Sequence, residues 1–287
     1  MEFHAKLVVD VKCTLGEGPV WDDRERRLLW VDIDGKKLHA YDPARNDHRV
    51  VPLKERIGCF ILSDGGRSLA AGEHGFYRLD IGTGRLEQLT DPEAHVPHTR
   101  FNDGKADPRG RFYAGTASSR DLPEGAFYVF DPGPGTVRKL LDGVACSNGI
   151  AWSPDLKTMY YIDSMKRTVD AFDYDVDTGE IANRRTVIRY EEPSVLPDGM
   201  TWDAEGMLWV AEWGGCRVSR WNPATAERIA VVHVPSRYVT SCVFGGEELD
   251  ELYITTARQT DREHPHAGGL FKAKVGVKGT VGYRCRD

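Results

Sequence analysis

Residues 197–213 read PDGMTWDAEGMLWVAEW, two short apolar runs on either side of the turn Asp203-Ala204-Glu205-Gly206. Runs of this length, rich in Val, Met and Trp between turn residues, predict strands. Asp198 stands at the mouth of the first run, against Gly199. A carboxylate there is costly to bury without compensation. The same arrangement recurs along the chain. SNGIAWSPDLKTMYYI (147–162) places Asn148 where Asp198 stands, Gly149 on Gly199 and Trp152 on Trp202. GEGPVWDDRERRLLWV (16–31) places Glu17, Gly18 and Trp21 there, and NDGKADPRGRFYAG (102–115) places Asp103. Two weaker copies, GCFILSDGGRSLAAG (58–72) and TSCVFGGEELDELYIT (240–255), offer Gly58 and Thr240. The series is 17, 58, 103, 148, 198, 240.

Each copy continues alike: an apolar run, a turn rich in Asp, Gly and Pro, a second apolar run, then two further strand-like stretches. Units of roughly 40 to 50 residues with four strands each are the blades of a propeller. The sequence therefore predicts an all-β, six-bladed β-propeller of four-stranded antiparallel blades, one domain over residues 1–287. The spare N-terminal run HAKLVVDVKC (4–13) is expected to pair with the C-terminal blade and close the ring, removing exposed edges. A pair of β-sandwiches would leave the six registers unexplained.

Bulk properties exclude several functions. A net charge of −6 does not suit non-specific nucleic-acid binding, which draws on Lys and Arg. No run of about 18 apolar residues exists to span a membrane, and the N-terminus lacks the long apolar core of a leader. The six cysteines form no CxxC pair and read as reduced thiols. A cytoplasmic protein that is a monomer or weak homo-oligomer is the expectation, with a small molecule as its partner.

The innermost strands of a propeller surround its axis, so residues in one register converge. Glu17, Asp103, Asn148 and Asp198 would meet around one point, with Gly58 and Thr240 leaving room. Converging carboxylates repel unless a positive charge sits between them. Oxygen donors of this kind suit a hard divalent cation such as Ca²⁺, Mg²⁺ or Mn²⁺. A single Asp-Gly or Asn-Gly is an ordinary turn; it is the shared register that points to a metal.

The stretches LGEGPVWD, RFNDGKAD, SNGIAWSPD, PDGMTWD and WVAEWGG, in this order along nearly the whole chain, resemble the motifs of the senescence-marker-protein/gluconolactonase/luciferin-regenerating-enzyme family. The resemblance implies a six-bladed propeller. It implies one divalent metal, Ca²⁺ foremost with Zn²⁺, Mn²⁺, Mg²⁺ or Fe²⁺ as alternatives, on Glu17, Asn148 and Asp198. It places substrate on Arg100 and Asn102, whereas the plain register selects Asp103. Successive strand residues face opposite ways, so both cannot point inward without a bulge; following the resemblance, Asn102 is expected inside, with a bulge or turn at Asp103-Gly104. Where relatives present an acid after AGT, this chain has Ser118, Ser119 and Arg120. Arg120 would then contact an acceptor-rich substrate or turn away into a salt bridge with Asp121 or Glu124. The implied reaction is hydrolysis of a sugar-acid lactone, with Asp198 as both ligand and general base. Organophosphate or other ester hydrolysis on the same scaffold, and a non-enzymatic calcium-binding regulator, are the alternatives.

Overall fold

The computed structural model describes residues 1–286 and turns each of these runs into a strand, leaving one short 3₁₀ turn at Ser164–Lys166 among the described residues. Two strands precede the repeats, β1 (Glu2–His4) and β2 (Lys6–Val9). Four antiparallel four-stranded sheets follow. The first is β3 (Gly16–Asp22), β4 (Arg27–Asp32), β5 (Lys37–Asp42) and β6 (Asp47–Pro52). The second is β7 (Ile57–Ile61), β8 (Ser68–Gly72), β9 (Gly75–Leu79) and β10 (Leu86–Thr90). The third is β11 (Thr99–Ala106), β12 (Phe112–Ser118), β13 (Gly125–Asp131) and β14 (Thr136–Val144). The fourth is β15 (Ser147–Trp152), β16 (Thr158–Asp163), β17 (Thr168–Tyr174) and β18 (Ile181–Arg189).

The remaining strands form a nine-stranded sheet. One part is β19 (Leu196–Trp202), β20 (Leu208–Trp213), β21 (Arg217–Asn222) and β22 (Glu227–His233). The other is β23 (Tyr238–Gly245), β24 (Glu251–Ala257) and β25 (Leu270–Lys274), with β2 beside β25. A single residue pair, Trp213 with Tyr238, joins the two parts. The protein is thus all-β and built of four-stranded antiparallel sheets in the manner of a propeller. The first strands of successive units pack on one another: β3 on β7, β7 on β11, β11 on β15, β15 on β19, β19 on β23, and β23 back on β3.

Inner strands are buried on both faces, which is why they read as nearly continuous apolar runs. Every residue of β8, β12 and β15 is buried. The outermost strands differ: β18, IANRRTVIR, exposes most of its length. Large aromatic side chains fill the space between sheets. Trp152 meets Tyr113 edge-on at 5.5 Å between centroids and Trp202 at 6.4 Å, so three consecutive units share one cluster. Among the described residues no helix is long and apolar enough to cross a membrane.

The N-terminal run divides. β1 adds in parallel to β22, with Glu2 opposite Val231, while β2 adds antiparallel to β25, with Lys6 opposite Lys272. The expected closure by one strand over 4–13 is therefore two short strands on the outer edges of two neighbouring units. Residues 10–15 form a connecting segment instead.

Every first strand carries a register break at the repeat position. In β7 it falls between Ile57 and Cys59, in β11 between Phe101 and Asp103, and in β23 between Val239 and Ser241. In β3, β15 and β19 it falls between Glu17 and Val20, Ser147 and Ile150, and Pro197 and Met200. A bulge inserts one residue and re-aims its side chain. The residue without a partner in β11 is Asn102, so the bulge lies one position before the expected Asp103-Gly104. Asp103 returns to ordinary pairing opposite Gly115.

Candidate functional site

Residues at or beside these breaks meet at one end of the space enclosed by the first strands. Glu17, Asn102, Asn148 and Asp198 line a cavity of about 430 Å³ together with Arg100. All four are buried, at 4, 7, 4 and 6% exposure. A hydrogen-bonded chain fixes the amides. Arg100 Nη1 donates to Asn102 Oδ1 (2.7 Å), and Asn102 Nδ2 donates to Asn148 Oδ1 (3.0 Å) and to the Ser147 carbonyl (2.9 Å). Asn148 Nδ2 then donates to Ser164 Oγ (2.8 Å), which donates to the Pro197 carbonyl (2.6 Å) next to Asp198. The amide oxygen of Asn148 is thereby held toward the cavity.

The carboxylates are electrostatically crowded. Burial raises the Glu17 carboxyl above its ordinary range, and the charge of Asp103 adds to the effect. Burial, then Glu17, then Asp103 raise Asp198 further. The side chains acting on Asp198 are themselves carboxylates, so the cluster favours a cation or a proton. Two carboxylates and an amide oxygen at the floor of an open cavity fit a hard divalent cation. Burial pulls the Arg100 guanidinium below its usual range.

Asp103 faces the same axis but a different space. It lines a small cavity of about 60 Å³ along the later halves of the same strands, with Lys105 beside it. Lys105 Nζ donates to the Met200 carbonyl (2.7 Å) and lies 5.4 Å from the centre of the Trp202 ring. Both candidates for the inner position are thus inside, one on each side of the bulge.

Arg120 lines neither the site cavity nor the wider cavity beside it. Its guanidinium pairs with Glu124, and its Nε donates to Glu124 Oε2 (3.1 Å). The pairing with Glu124 is the salt-bridge alternative of the sequence, and it leaves Arg120 outside both cavity walls. The reason is local: Asp121 takes a left-handed backbone (φ 55°), which reverses the loop and carries Asp121 itself into the cavity wall. In the sequence Asp121 stands only as a partner for Arg120, and Ser164, which holds Asn148, lies in a 3₁₀ turn with no motif of its own.

Cys146 also lines the cavity. Burial and Asp198 push its thiol up to about 12, so it is a neutral wall group rather than a thiolate nucleophile. Ser118 Oγ donates to Glu124 Oε2 (2.8 Å), a carboxylate also paired with Arg120.

Gly58 completes the bulge series for a steric reason. A Cβ there would lie 2.3 Å from the Phe101 carbonyl oxygen and 2.5 Å from that of Asn102. Gly58→Ala should therefore push β11 away from β7, costing about 1 to 3 kcal/mol, and displace Asn102. The expected result is a lower melting temperature and reduced kcat/KM. Unchanged values for both would show that the strands have slack at this point.

The model of the SMP-30/Gluconolactonase/LRE-like region matches residues 15–258. A Bacillus subtilis protein named as a sugar lactone lactonase, YvrE, is 38% identical over 281 residues, 96% of each chain. Regucalcin of Gallus gallus is 42% identical over 290 residues, 94% of each chain. Among solved structures, a luciferin-regenerating enzyme superposes with a TM-score of 0.91 at 34% identity, covering 99% of each chain. A calcium-binding protein, regucalcin, from Agrobacterium tumefaciens gives 0.94 at 27% identity, covering 100% of this chain and 99% of that one. With the motifs in order and the match running almost end to end, the chain is a member of the SMP-30/gluconolactonase/LRE-like family.

Proposed function

We propose that the protein is a metal-dependent lactonase that opens a sugar-acid lactone to the free acid. One six-bladed propeller domain would present the site, with the two parts of the nine-stranded sheet as the fifth and sixth blades. The observation that carries this reading is the meeting of Glu17, Asn148 and Asp198 with Arg100 and Asn102 in one cavity. The names of relatives, a sugar lactone lactonase and a calcium-binding regucalcin, support the substrate class and make Ca²⁺ the first choice of metal.

Glu17, Asn148 and Asp198 would hold the cation, which when bound supplies Lewis-acid polarisation of the lactone carbonyl. The residues do the rest. Asp198 accepts a proton from the attacking water. Arg100 and Asn102 orient the ring; both Asn102 amide hydrogens are committed to Asn148 and Ser147, so the donors left for substrate are those on Arg100 Nη2 and Nε. Asp121, at the cavity wall, is placed to accept from a sugar hydroxyl. Direct attack by water requires no covalent intermediate, and the Cys146 thiol beside the site is neutral.

A panel of aldonolactones assayed before and after chelation, with metals restored one at a time, tests the reading. Hydrolysis that disappears on chelation and returns with Ca²⁺ or another divalent cation is the expected outcome. Binding of Ca²⁺ with no turnover of any lactone or ester would favour a non-enzymatic calcium-binding role. Turnover of a phosphotriester in preference to every lactone would reassign the substrate class.

A further inference from the structure

Away from the cavity, three side chains of different chemistry are buried together. Cys13, Asp32 and His39 are 1, 3 and 3% exposed. They come from the segment before β3, the end of β4 and the middle of β5. Cys13 Sγ lies 3.7 Å from His39 Nε2, and one ligand atom from each of the three lies within 4.8 Å of the others. Metal–ligand distances of about 2.0 to 2.3 Å put tetrahedral donors roughly 3.3 to 3.7 Å apart. The thiol–imidazole pair already has that spacing.

The donors are also held in place. The His39 ring stacks on Trp30 at 4.8 Å and 12° and on His48 at 5.2 Å and 7°. His39 Nδ1 is 3.0 Å from His48 Nε2. In the tautomer with the proton on Nδ1, His39 donates to His48 and turns the Nε2 lone pair toward Cys13. A hydrogen bond on the far nitrogen is the usual support of a ligating histidine. Burial first, and His48 second, lower His39 to about 4, so its ring is neutral. The Cys13 backbone is pinned at both ends, its N–H donating to the Gly268 carbonyl (2.8 Å) and its carbonyl accepting from Arg258 N–H (3.0 Å). Asp32 accepts backbone bonds from Leu15 and Gly35 on Oδ1 and from Thr14 on Oδ2, which leaves Oδ2 free to accept more.

We propose that Cys13, Asp32 and His39 form a second cation site, separate from the cavity, that takes Zn²⁺ through sulfur, the Asp32 carboxylate and His39 Nε2, with water in the fourth position. Sulfur and imidazole together select a borderline-soft ion rather than Ca²⁺. On binding, the Cys13 S–H proton is released and the sulfur coordinates as thiolate. Asp32 already fixes Thr14 and Leu15, and Glu17 follows two residues later, so an ion here stiffens the approach to the cavity. The inference does not depend on the lactonase reading.

The test uses the metal-stripped full-length chain, reloaded with Zn²⁺ or Co²⁺ without substrate. Elemental analysis should find one Zn²⁺ equivalent that survives in Glu17→Gln. The Co²⁺ form should show sulfur-to-cobalt charge-transfer absorption, and X-ray absorption of the Zn²⁺ form should show one sulfur at about 2.3 Å. Cys13→Ser and His39→Ala should each lose that equivalent and the absorption. His48→Ala should keep the absorption but weaken Zn²⁺ binding roughly 10- to 100-fold. Cys146, beside the cavity, is the control, and Cys146→Ser should change none of these. The proposal is overturned by a charge-transfer band that vanishes in Cys146→Ser but persists in Cys13→Ser. It is equally overturned by a wild-type protein whose bound Zn²⁺ has no sulfur neighbour, a result that needs no variant to fold.

Discussion

Asp198→Asn is expected to lower kcat by roughly 10²- to 10⁴-fold, because a ligand charge and the proton acceptor are lost together. The amide keeps the shape of the side chain, so the fold should survive. Stability of the metal-free protein should move the other way. In the folded, metal-free chain the Asp198 carboxyl is raised by burial, by Glu17 and by Asp103. A raised carboxyl favours the folded state at low pH, and that contribution is lost as pH rises from the unfolded value through the folded one. Asn does not titrate. At neutral pH the metal-free variant should therefore melt above the metal-free parent, and the gap should close as pH falls toward about 4. With the cation bound the order should reverse, since the parent has the stronger ligand. Calorimetry with and without chelator, beside steady-state rates, checks all three statements. A variant that keeps parental kcat would remove Asp198 from the mechanism.

Deletion of residues 1–9 should cause the largest loss of stability, while leaving Cys13 in place. It strips β1 from β22 and β2 from β25, opening the outer edges of two neighbouring units. Phe3 packs against the cluster containing Val232 and Phe271, and Val8 and Val9 against that of Trp21, Tyr253 and Leu270. Three partly buried side chains and a set of backbone hydrogen bonds together represent on the order of 5 kcal/mol. For a chain of this size that corresponds to a fall in melting temperature of roughly 8 °C. Two unpaired edges should also promote aggregation. A truncated chain as soluble and as heat-stable as the parent would show that β1 and β2 are dispensable. Gly58→Ala, by contrast, should act mainly through Asn102 and lose less stability.

Local composition was enough to determine the strands, because inner strands buried on both faces must be continuously apolar and turns must carry Asp, Gly and Pro. The repeated position was legible for a related reason: a polar residue beside Gly at the start of an apolar run breaks the pattern each time, at Glu17, Asn148 and Asp198. The tertiary structure decided what a period of two does not encode. The bulge in β11 falls on Asn102 because its neighbours pair Phe101 with Thr116 and Asp103 with Gly115, so both polar residues reach the interior on opposite sides of one kink. The left-handed turn at Asp121 decided that this acid, and not Arg120, meets the cavity. A loop's direction follows from one backbone angle that the residue type permits but does not require. The N-terminal run reads as one strand because no Gly or Pro interrupts it. The chain crosses from one unit to the next at Ala5, whose N–H is held by the His233 carbonyl, and that crossing splits it in two. Cys13, Asp32 and His39 share no motif; they meet only because β4 and β5 pair and the segment before β3 folds over them. Residues scattered over 27 positions become neighbours through strand pairing and loop closure, which are properties of the assembled sheets and not of any one segment.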